Sequence, residues 1–189
     1  MFVRLTGCPL RCRCCDTEYA FYGGSWHSID EVLERVAAHG TRYICVTGGE
    51  PLAQRNCHGL LARLCDAGYR VSLETSGAID ARAVDARVVR VLDVKTPGSG
   101  ELARNFLPNL DVLRPHDLVK FVLCDRADCE WARAFLVERD LAAQRAVLLS
   151  PNHGQVEPRA LAEWILADRL PVRLQLQLHK LLWGNERGR

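Results

Sequence analysis

No apolar run in the sequence approaches the ~18 residues that a membrane-spanning helix needs, and residues 1–5 lead directly into polar residues, unlike a signal peptide. No block of five like charges occurs, and 25 Lys and Arg residues nearly balance 23 Asp and Glu residues. We therefore expect no nucleic-acid-binding tail and no polybasic membrane patch. Repeats, low-complexity segments and linkers are also missing. We predict one domain over residues 1–189, in the cytoplasm, with neither nucleic acid nor a membrane as partner.

Disulfide pairing does not explain the nine cysteines, because their number is odd and cytoplasmic thiols stay reduced. Four of them lie within eight residues, at Cys8, Cys12, Cys14 and Cys15. The others are single residues in apolar or helical contexts: Cys45, Cys57, Cys65, Cys124 and Cys129. Free cysteine in such contexts is commonly a small buried hydrophobe. The N-terminal group needs a chemical explanation.

Short apolar strands alternate with amphipathic helices along the chain. Ser28 and Glu31 have the spacing of a capping box before the first helix, which Gly40 ends. The other helices are predicted at 58–67, 127–138 and 158–167, with a weaker helical stretch at 101–113. The strands are predicted at 2–5, 43–46, 70–74, 88–95, 118–124, 146–150 and 172–178. This alternation predicts a parallel sheet covered by helices, either doubly wound or an incomplete barrel.

Polar segments follow the predicted strands. The cysteine loop follows the first strand, and the segments 47–50, 74–77, 93–97 and 150–153 follow or end later ones. In both architectures, ligands bind at the carboxyl ends of the strands. We therefore expect these segments to meet at one mouth of the sheet.

Cys8, Cys12 and Cys15 have the spacing CxxxCxxC. Three thiolates from one loop can each bind one iron of a 4Fe–4S cubane and leave the fourth iron without a protein ligand. Such an open iron can bind the amino and carboxylate groups of S-adenosylmethionine (SAM) and pass an electron to its sulfonium. The alternatives are a disulfide and a zinc knuckle completed by Cys14 or His27, although zinc sites usually have a second CxxC pair.

The CxxxCxxC spacing, followed by Thr-Gly-Gly-Glu at 47–50, resembles the radical SAM superfamily. Within it, the chain resembles the 7-carboxy-7-deazaguanine synthase family over essentially its whole length. The segments that carry this resemblance are GCPLRC at 7–12, CDTEYAF at 15–21, TGGEPL at 47–52, ETSG at 74–77, DVKTP at 93–97 and LQLHKLLWG at 176–184.

The resemblance implies an α/β fold, an incomplete (β/α)6 barrel of parallel strands with outer helices. It implies a lyase that converts 6-carboxy-5,6,7,8-tetrahydropterin into 7-carboxy-7-deazaguanine with loss of ammonia, on the route to queuosine. The expected cofactors are the 4Fe–4S cluster, SAM and Mg²⁺. The expected partners are the pterin substrate, an electron donor such as a flavodoxin or ferredoxin, and a second copy of the chain in a homodimer.

The same resemblance implies roles for individual residues. Thr17 would bind Mg²⁺, and Arg4, Thr47, His179 and Lys180 would contact substrate. The SAM contacts would be Gly49, Glu50, Glu74, Ser76, Asp93, Lys95, Ser150, Pro151, Asn152 and His153. Ordinary structural roles are the alternatives: a loop cap for Thr17, a solvent-facing position for Arg4, His179 and Lys180, and a plain turn for Thr47 and Gly49.

Two features depart from the family pattern. Family members usually carry a further segment, including a Gln-Gly-Glu stretch that contacts substrate, before the strand that begins here at Phe2. We therefore expect the chain to bind the cluster and SAM but to turn over substrate poorly. The residue before the third cysteine is generally aromatic, whereas Cys14 would pack more thinly on adenine or compete as a ligand.

Two other functions are compatible with the cysteine spacing. One is an activase that installs a glycyl radical on a partner protein, and the other is a non-catalytic iron–sulfur protein. The segments 16–21 and 178–183 favour the small-molecule enzyme over the activase. Electron carriers of the ferredoxin type use four cysteines in small folds.

Overall fold

Seven parallel strands form one sheet in the computed structural model, which describes residues 1–184 and 186. The strands are β1 (Phe2–Leu5), β2 (Tyr43–Gly48), β3 (Arg70–Thr75), β4 (Val89–Asp93), β5 (Leu118–Leu123), β6 (Ala146–Pro151) and β7 (Arg173–Leu174). Their order in the sheet is their order in the chain, so the sheet winds in one direction and is not closed. The prediction of an incomplete barrel is confirmed, and the doubly wound alternative was wrong.

Helices connect the strands. They are α1 (Ile29–Ala38), α2 (Cys57–Asp66), α3 (Pro108–Asp111), α4 (Arg126–Glu138), α5 (Leu141–Gln144), α6 (Pro158–Ala167) and α7 (Leu178–Trp183). The predicted capping box is present, because Ser28 Oγ accepts a bond from Glu31 N at 3.2 Å and Glu31 Oε2 accepts one from Ser28 N at 2.7 Å. No described helix is long and apolar enough to cross a membrane.

The predicted seventh strand, 172–178, was wrong at its end. Only Arg173 and Leu174 form a strand, and Leu178 begins helix α7. Both strand residues are exposed at the sheet edge, so the alternating leucines at 174, 176 and 178 do not mark a buried face. The spacing of Leu178, Leu181 and Leu182 is that of one helix face. The first six strands agree with prediction to within two residues at each end.

The two faces of the sheet differ in chemistry. One face packs against the helices through two apolar clusters, which include Val46 and Leu73 near β1–β3 and Phe121 and Leu149 near β5–β6. Side chains alternate along a strand, so the intervening residues lie on the opposite face, which we call the inner face. It carries Arg4, Cys45, Thr47, Ser72, Glu74, Asp93, Lys120 and Ser150. The apolar core and the polar site are thereby kept apart.

A buried ion pair joins the two apolar clusters. Arg90, which is 1% exposed, donates to Asp117 Oδ2 from Nε at 2.9 Å and from Nη2 at 2.6 Å. Its guanidinium also donates to the carbonyls of Ala81 and Val112. Because every side-chain nitrogen of Arg90 and both oxygens of Asp117 are hydrogen-bonded, the pair can be buried in an otherwise apolar layer.

Candidate active site

The cysteine loop follows β1 and is closed by its own backbone. Gly7 N donates to Ala20 O at 2.8 Å, Ala20 N donates to Thr17 O at 2.8 Å, and Cys15 N donates to Cys12 O at 3.2 Å. These bonds fix the path of the chain on both sides of the thiols. The loop is therefore a shaped structure at the carboxyl end of β1, as predicted.

Gly48 and Gly49 bring the end of β2 against this loop. Gly49 N donates to Leu5 O at 2.9 Å, and Glu50 N donates to Gly7 O at 2.8 Å. A Cβ on Gly49 would lie 2.2 Å from Gly7 O, and one on Gly48 would lie 1.9 Å from Leu5 O. Side chains at these positions would collide with backbone, so both glycines are needed to seat the loop. The prediction that Gly49 also contacts SAM stays a prediction.

Arg11 is exposed and clamps the loop through two of its backbone carbonyls, a role that the sequence did not predict. Its Nη1 donates to Cys8 O at 2.8 Å and to Leu10 O at 2.7 Å, and its guanidinium lies 4.3 Å from the centre of the Phe21 ring. Its backbone nitrogen donates to Glu101 Oε1 at 2.5 Å. The loop is thus tied to the segment after β4 as well as to itself.

The three predicted cluster ligands are partly exposed free thiols. Burial raises the pKa of Cys12 to about 11 against the opposing charge of Lys95, and burial also raises that of Cys15. Within residues 1–184 and 186, no three His, Cys, Asp or Glu side chains could hold a single metal ion. The thiolates of a cubane instead bind different irons, so three partly exposed thiols of one shaped loop fit a cluster.

Cys14 contacts another thiol. Its side chain shares a hydrogen bond with Cys124, which follows β5. This contact places Cys14 against the sheet end. The two roles predicted for Cys14, a thin packing surface for adenine or a competing ligand, both stay predictions.

Asp93 and Lys95 form an ion pair at the end of β4. Lys95 Nζ lies 2.7 Å from Asp93 Oδ2, and the Lys95 side chain is 13% exposed. Burial by itself lowers the pKa of Lys95, but the Asp93 carboxylate together with the thiols of Cys12 and Cys14 raises this pKa above its ordinary value. Asp93 Oδ1 is buried and has no hydrogen-bond partner in the described part of the chain. An orphaned acceptor fits a ligand hydroxyl or amino group, both of which SAM carries.

Glu50 is fully buried between the ends of β2 and β3. Its carboxylate accepts hydrogen bonds from Thr75 Oγ1 at 2.9 Å, from Ser76 N at 2.6 Å and from Leu52 N at 2.9 Å. Two residues predicted to bind SAM, Glu50 and Ser76, are therefore bonded to each other. Whether either also touches SAM stays a prediction.

Thr17, the predicted Mg²⁺ ligand, donates its hydroxyl to Asp16 Oδ1 at 2.6 Å. Donation leaves the lone pairs of the Thr17 oxygen available to a cation. Asp16 Oδ2 accepts a bond from Gln177 Nε2. Burial raises the pKa of Asp16, but these two bonds and the charges of Lys120 and Lys180 bring it below its ordinary value.

His179 and Lys180 lie on helix α7, not at the end of the last strand, so that part of the prediction was wrong. The helix nevertheless reaches the cysteine loop, since Gln177 bonds Asp16 and the charge of Lys180 acts on the same carboxylate. The sequence therefore predicted that these two residues lie near the cysteine loop, but it did not predict the helix on which they lie.

The other predicted site residues also lie at or near the inner face. Arg4 is exposed with its guanidinium 5.7 Å from the centre of the Tyr19 ring, and Thr47 is buried beside it in register. Glu74 is half-buried near Cys45, whose pKa is raised to about 11 by burial and by this carboxylate.

The segment 150–153, at the end of β6, is buried in its first three residues and exposed in its last. Ser150, Pro151 and Asn152 are buried, and Asn152 N donates to Leu123 O at 2.9 Å. His153 is exposed. The structure therefore places the first three at the mouth among the strand ends, and His153 at the surface next to them.

Known proteins are similar to this chain in sequence. The profile of the radical SAM superfamily matches residues 2–93. A 7-carboxy-7-deazaguanine synthase of Chlorobaculum tepidum is 44% identical over 97% of this chain and 84% of its own length. The enzyme of the same name from Koribacter versatilis is 43% identical over 98% of this chain and 89% of its own length.

Solved structures agree on the fold. Streptococcus suis SuiB bound to S-adenosylmethionine superposes on 93% of this chain and 45% of its own length, with a TM-score of 0.62 and 12% identity. The complex of SuiB with its precursor peptide SuiA gives a TM-score of 0.63 at 11% identity. The chain spans about half the length of SuiB, and at this identity the likeness concerns the fold alone. Because its curated relatives match it over nearly the whole chain and most of their own length, the chain belongs to the 7-carboxy-7-deazaguanine synthase family of the radical SAM superfamily.

Proposed function

We propose that this chain is a radical SAM lyase that converts 6-carboxy-5,6,7,8-tetrahydropterin into 7-carboxy-7-deazaguanine with loss of ammonia. The observation that carries the proposal is the cysteine loop: three partly exposed thiols on one clamped segment, at the polar mouth of an open parallel barrel. The family to which the chain belongs supports the substrate and the product.

Cys8, Cys12 and Cys15 would hold the 4Fe–4S cluster. When bound and reduced, this cluster supplies the electron that cleaves a carbon–sulfur bond of SAM. The chain contributes position: Arg11 and the glycine pair fix the loop, and Asp93 Oδ1 offers an acceptor beside it. Holding reactants in one geometry can supply much of a rate enhancement.

The substrate would lie on the inner face between the cysteine loop and α7. Arg4, Lys120 and Lys180 supply positive charge there for an anionic pterin. Mg²⁺ on Thr17 would clamp the substrate carboxylate, since Mg²⁺ prefers oxygen ligands and keeps waters or substrate oxygens. The Thr17 hydroxyl donates its hydrogen to Asp16 Oδ1, which leaves its oxygen lone pairs for a cation and supports this placement.

The remaining expectations are proposals of the same kind. We propose a single domain, because one sheet runs from β1 to β7, and a cytoplasmic location, because the nine cysteines are free. A flavodoxin or ferredoxin would supply the electron, and two copies of the chain would form the active dimer. The family resemblance is the support for the donor and the dimer.

The test is turnover by anaerobically reconstituted chain with SAM, Mg²⁺, a reductant and the tetrahydropterin. We expect 7-carboxy-7-deazaguanine and ammonia, together with 5′-deoxyadenosine, and none of them from the Cys15→Ala variant. Formation of 5′-deoxyadenosine without deazaguanine under all substrate conditions would favour the activase. Cluster binding with no SAM cleavage would favour the iron–sulfur carrier.

A further inference from the structure

Lysine is rare in this chain. Only three of its 25 Lys and Arg residues are lysines: Lys95, Lys120 and Lys180. All three lie around the cysteine loop, because the charge of Lys95 acts on Cys12 and the charges of Lys120 and Lys180 act on Asp16. Every cationic side chain on the outer helices is arginine. An ammonium is a compact point charge with three donors, unlike the wide guanidinium fork.

The three lysines differ in their partners. Lys95 is bonded to Asp93 at 2.7 Å, and Lys180 has a contact of its own. The ammonium of Lys120 makes no hydrogen bond or ion pair with any residue that the structure describes, although it is only partly exposed. A partly buried ammonium is costly unless an anion approaches it.

The position of Lys120 is rigid. It lies in the middle of β5, in register with Asp93, and its carbonyl accepts a bond from Val94 N at 2.8 Å. Its neighbours Val119 and Phe121 are fully buried in the helix-facing core. Strand alternation therefore fixes the Lys120 side chain on the inner face.

Asp16 does not neutralise Lys120 by contact. Both carboxylate oxygens of Asp16 are taken, one by the Thr17 hydroxyl and the other by the Gln177 amide. Asp93 is likewise committed to Lys95 through one oxygen. Glu74 and Arg4 also lie on the inner face, but no carboxylate in the described part of the chain contacts the Lys120 ammonium. A partly buried ammonium without such a contact favours an anionic ligand.

We infer that Lys120 binds the carboxylate of a ligand on the inner face. The ligand class rests on the proposed function, which supplies two sources of that carboxylate: the methionyl end of SAM and the pterin substrate. One ammonium–carboxylate contact on a rigid strand would orient either molecule beside the cysteine loop.

The test uses cluster-loaded chain and two substitutions, Lys120→Met and Lys120→Arg, with Arg159→Met on α6 as the matched control. Arg159 is a surface cation paired with Glu163 at 2.9 Å and is remote from the loop in the fold. Equilibrium dissociation constants for SAM and for 6-carboxytetrahydropterin are measured separately by anaerobic calorimetry. We expect Lys120→Met to weaken one of the two by about ten- to hundredfold, the range for losing a hydrogen bond to a charged group. Lys120→Arg should recover part of this loss, and Arg159→Met should change neither constant.

Decarboxylated ligands show which carboxylate Lys120 binds. If Lys120 binds the SAM carboxylate, decarboxylated SAM should bind wild type and Lys120→Met with equal affinity. If it binds the substrate carboxylate, decarboxylated tetrahydropterin should bind the two proteins with equal affinity. Unchanged constants for both parent ligands in Lys120→Met would overturn the inference.

Amine labelling of the wild-type chain keeps the inference falsifiable if Lys120→Met does not fold. With only three lysines, acetylation at each can be followed by mass spectrometry. We expect SAM or the pterin to protect Lys120 from acetylation, and protection by neither ligand would exclude the site. If SAM protects Lys120 but no deazaguanine forms, the proposed function is wrong and the inference about Lys120 is supported. If deazaguanine forms but neither ligand protects Lys120, the proposed function is supported and the inference about Lys120 is wrong.

Discussion

Glu50 and Ser76 are joined by two hydrogen bonds across the mouth of the barrel, from Ser76 N at 2.6 Å and from Ser76 Oγ at 2.5 Å to one carboxylate oxygen. The residues are separated by β3 and meet where β2 and β3 end. The Glu50 carboxylate is completely enclosed. It therefore fixes the spacing of two strand ends from within the protein, before any ligand binds.

Removing this carboxylate should destabilise the fold. Glu50→Ala leaves the donors of Leu52, Thr75 and Ser76 without an acceptor, and we expect a loss on the order of 3 kcal/mol or more in the free energy of unfolding. Urea denaturation of the cluster-free chain measures it. Glu163→Ala, at an exposed surface pair, should change stability by about 0.5 kcal/mol or less. Equal midpoints for Glu50→Ala and wild type would contradict this reading.

The cluster should depend on three of the four clustered cysteines. We expect Cys8→Ala, Cys12→Ala and Cys15→Ala each to lose bound iron after anaerobic reconstitution, because three thiolates are needed to hold the cubane. Cys14→Ala should keep it, since the Cys14 thiol is hydrogen-bonded to the Cys124 thiol. Iron and sulfide content and the visible absorption band report the result. If Cys14→Ala loses iron and Cys15→Ala retains it, the third cluster ligand is Cys14 and not Cys15.

Thr17→Ala should separate substrate chemistry from SAM cleavage. If Mg²⁺ on Thr17 clamps the substrate, small misplacement of the reacting atoms can lower the rate about 100-fold. We expect 7-carboxy-7-deazaguanine formation to fall by about that factor, while uncoupled release of 5′-deoxyadenosine continues. Thr17→Ser, which keeps the hydroxyl that bonds Asp16, is the control. Equal product yields with and without Mg²⁺ would remove the metal from the reaction.

A methyl group on Gly49 should displace the cysteine loop. The added carbon would lie 2.2 Å from Gly7 O, and we expect Gly49→Ala to lose about 1–3 kcal/mol of stability through this collision and to bind less iron. Gly59→Ala in helix α2 is the control, because its Cβ meets only Ile29 Cδ1 at 3.4 Å. That change should stabilise the chain by about 0.5–1 kcal/mol. Full iron binding by Gly49→Ala would show that the loop can move without harm.

Cys57 should resist alkylation. Burial raises its pKa to about 12 from an ordinary 9.0, so at pH 8 only about one molecule in ten thousand carries the thiolate. We expect iodoacetamide to label Cys65, which is partly exposed, well before Cys57. Because the unfolded thiol ionises first, stability should also fall as the pH rises above 9. Mass spectrometry and urea midpoints at pH 8 and pH 10 measure both effects. Labelling of native Cys57 as fast as Cys65 would refute the burial argument.

The regular elements could be predicted from the sequence because their periodicity is strong. The capping box at Ser28 and Glu31, and helix α6 from Pro158 to Ala167, lie where the pattern puts them. The α7 region was ambiguous, since its leucines satisfy both a period of two and a helical spacing. At an exposed edge strand no buried face decides between them, and the helix forms.

The sequence predicted that the cysteine loop and the polar strand ends meet at one mouth of the sheet, but it did not predict the contacts between them. The cysteine spacing predicts a ligand set, whereas the hydrogen bond from Gln177 to Asp16 joins residues 161 positions apart, and no local pattern encodes it. The Arg11 clamp depends on the ring of Phe21 closing over it. Lys120 looked like an ordinary strand residue until the register of β5 placed it on the inner face. These relationships follow from the fold as a whole.

Because the sheet is built in chain order, the cysteine loop is synthesised before the segments that support it and is completed only after them. Its thiols leave the ribosome with residues 8–15, whereas its supports arrive with residues 49–50, 99–101 and finally 177. Chains fold from the N-terminus as they emerge, so each strand can dock on its predecessor while the thiols stay uncovered through most of translation. The nascent chain consequently depends on its surroundings to keep those thiols reduced until residue 177, which bonds Asp16, has left the exit tunnel.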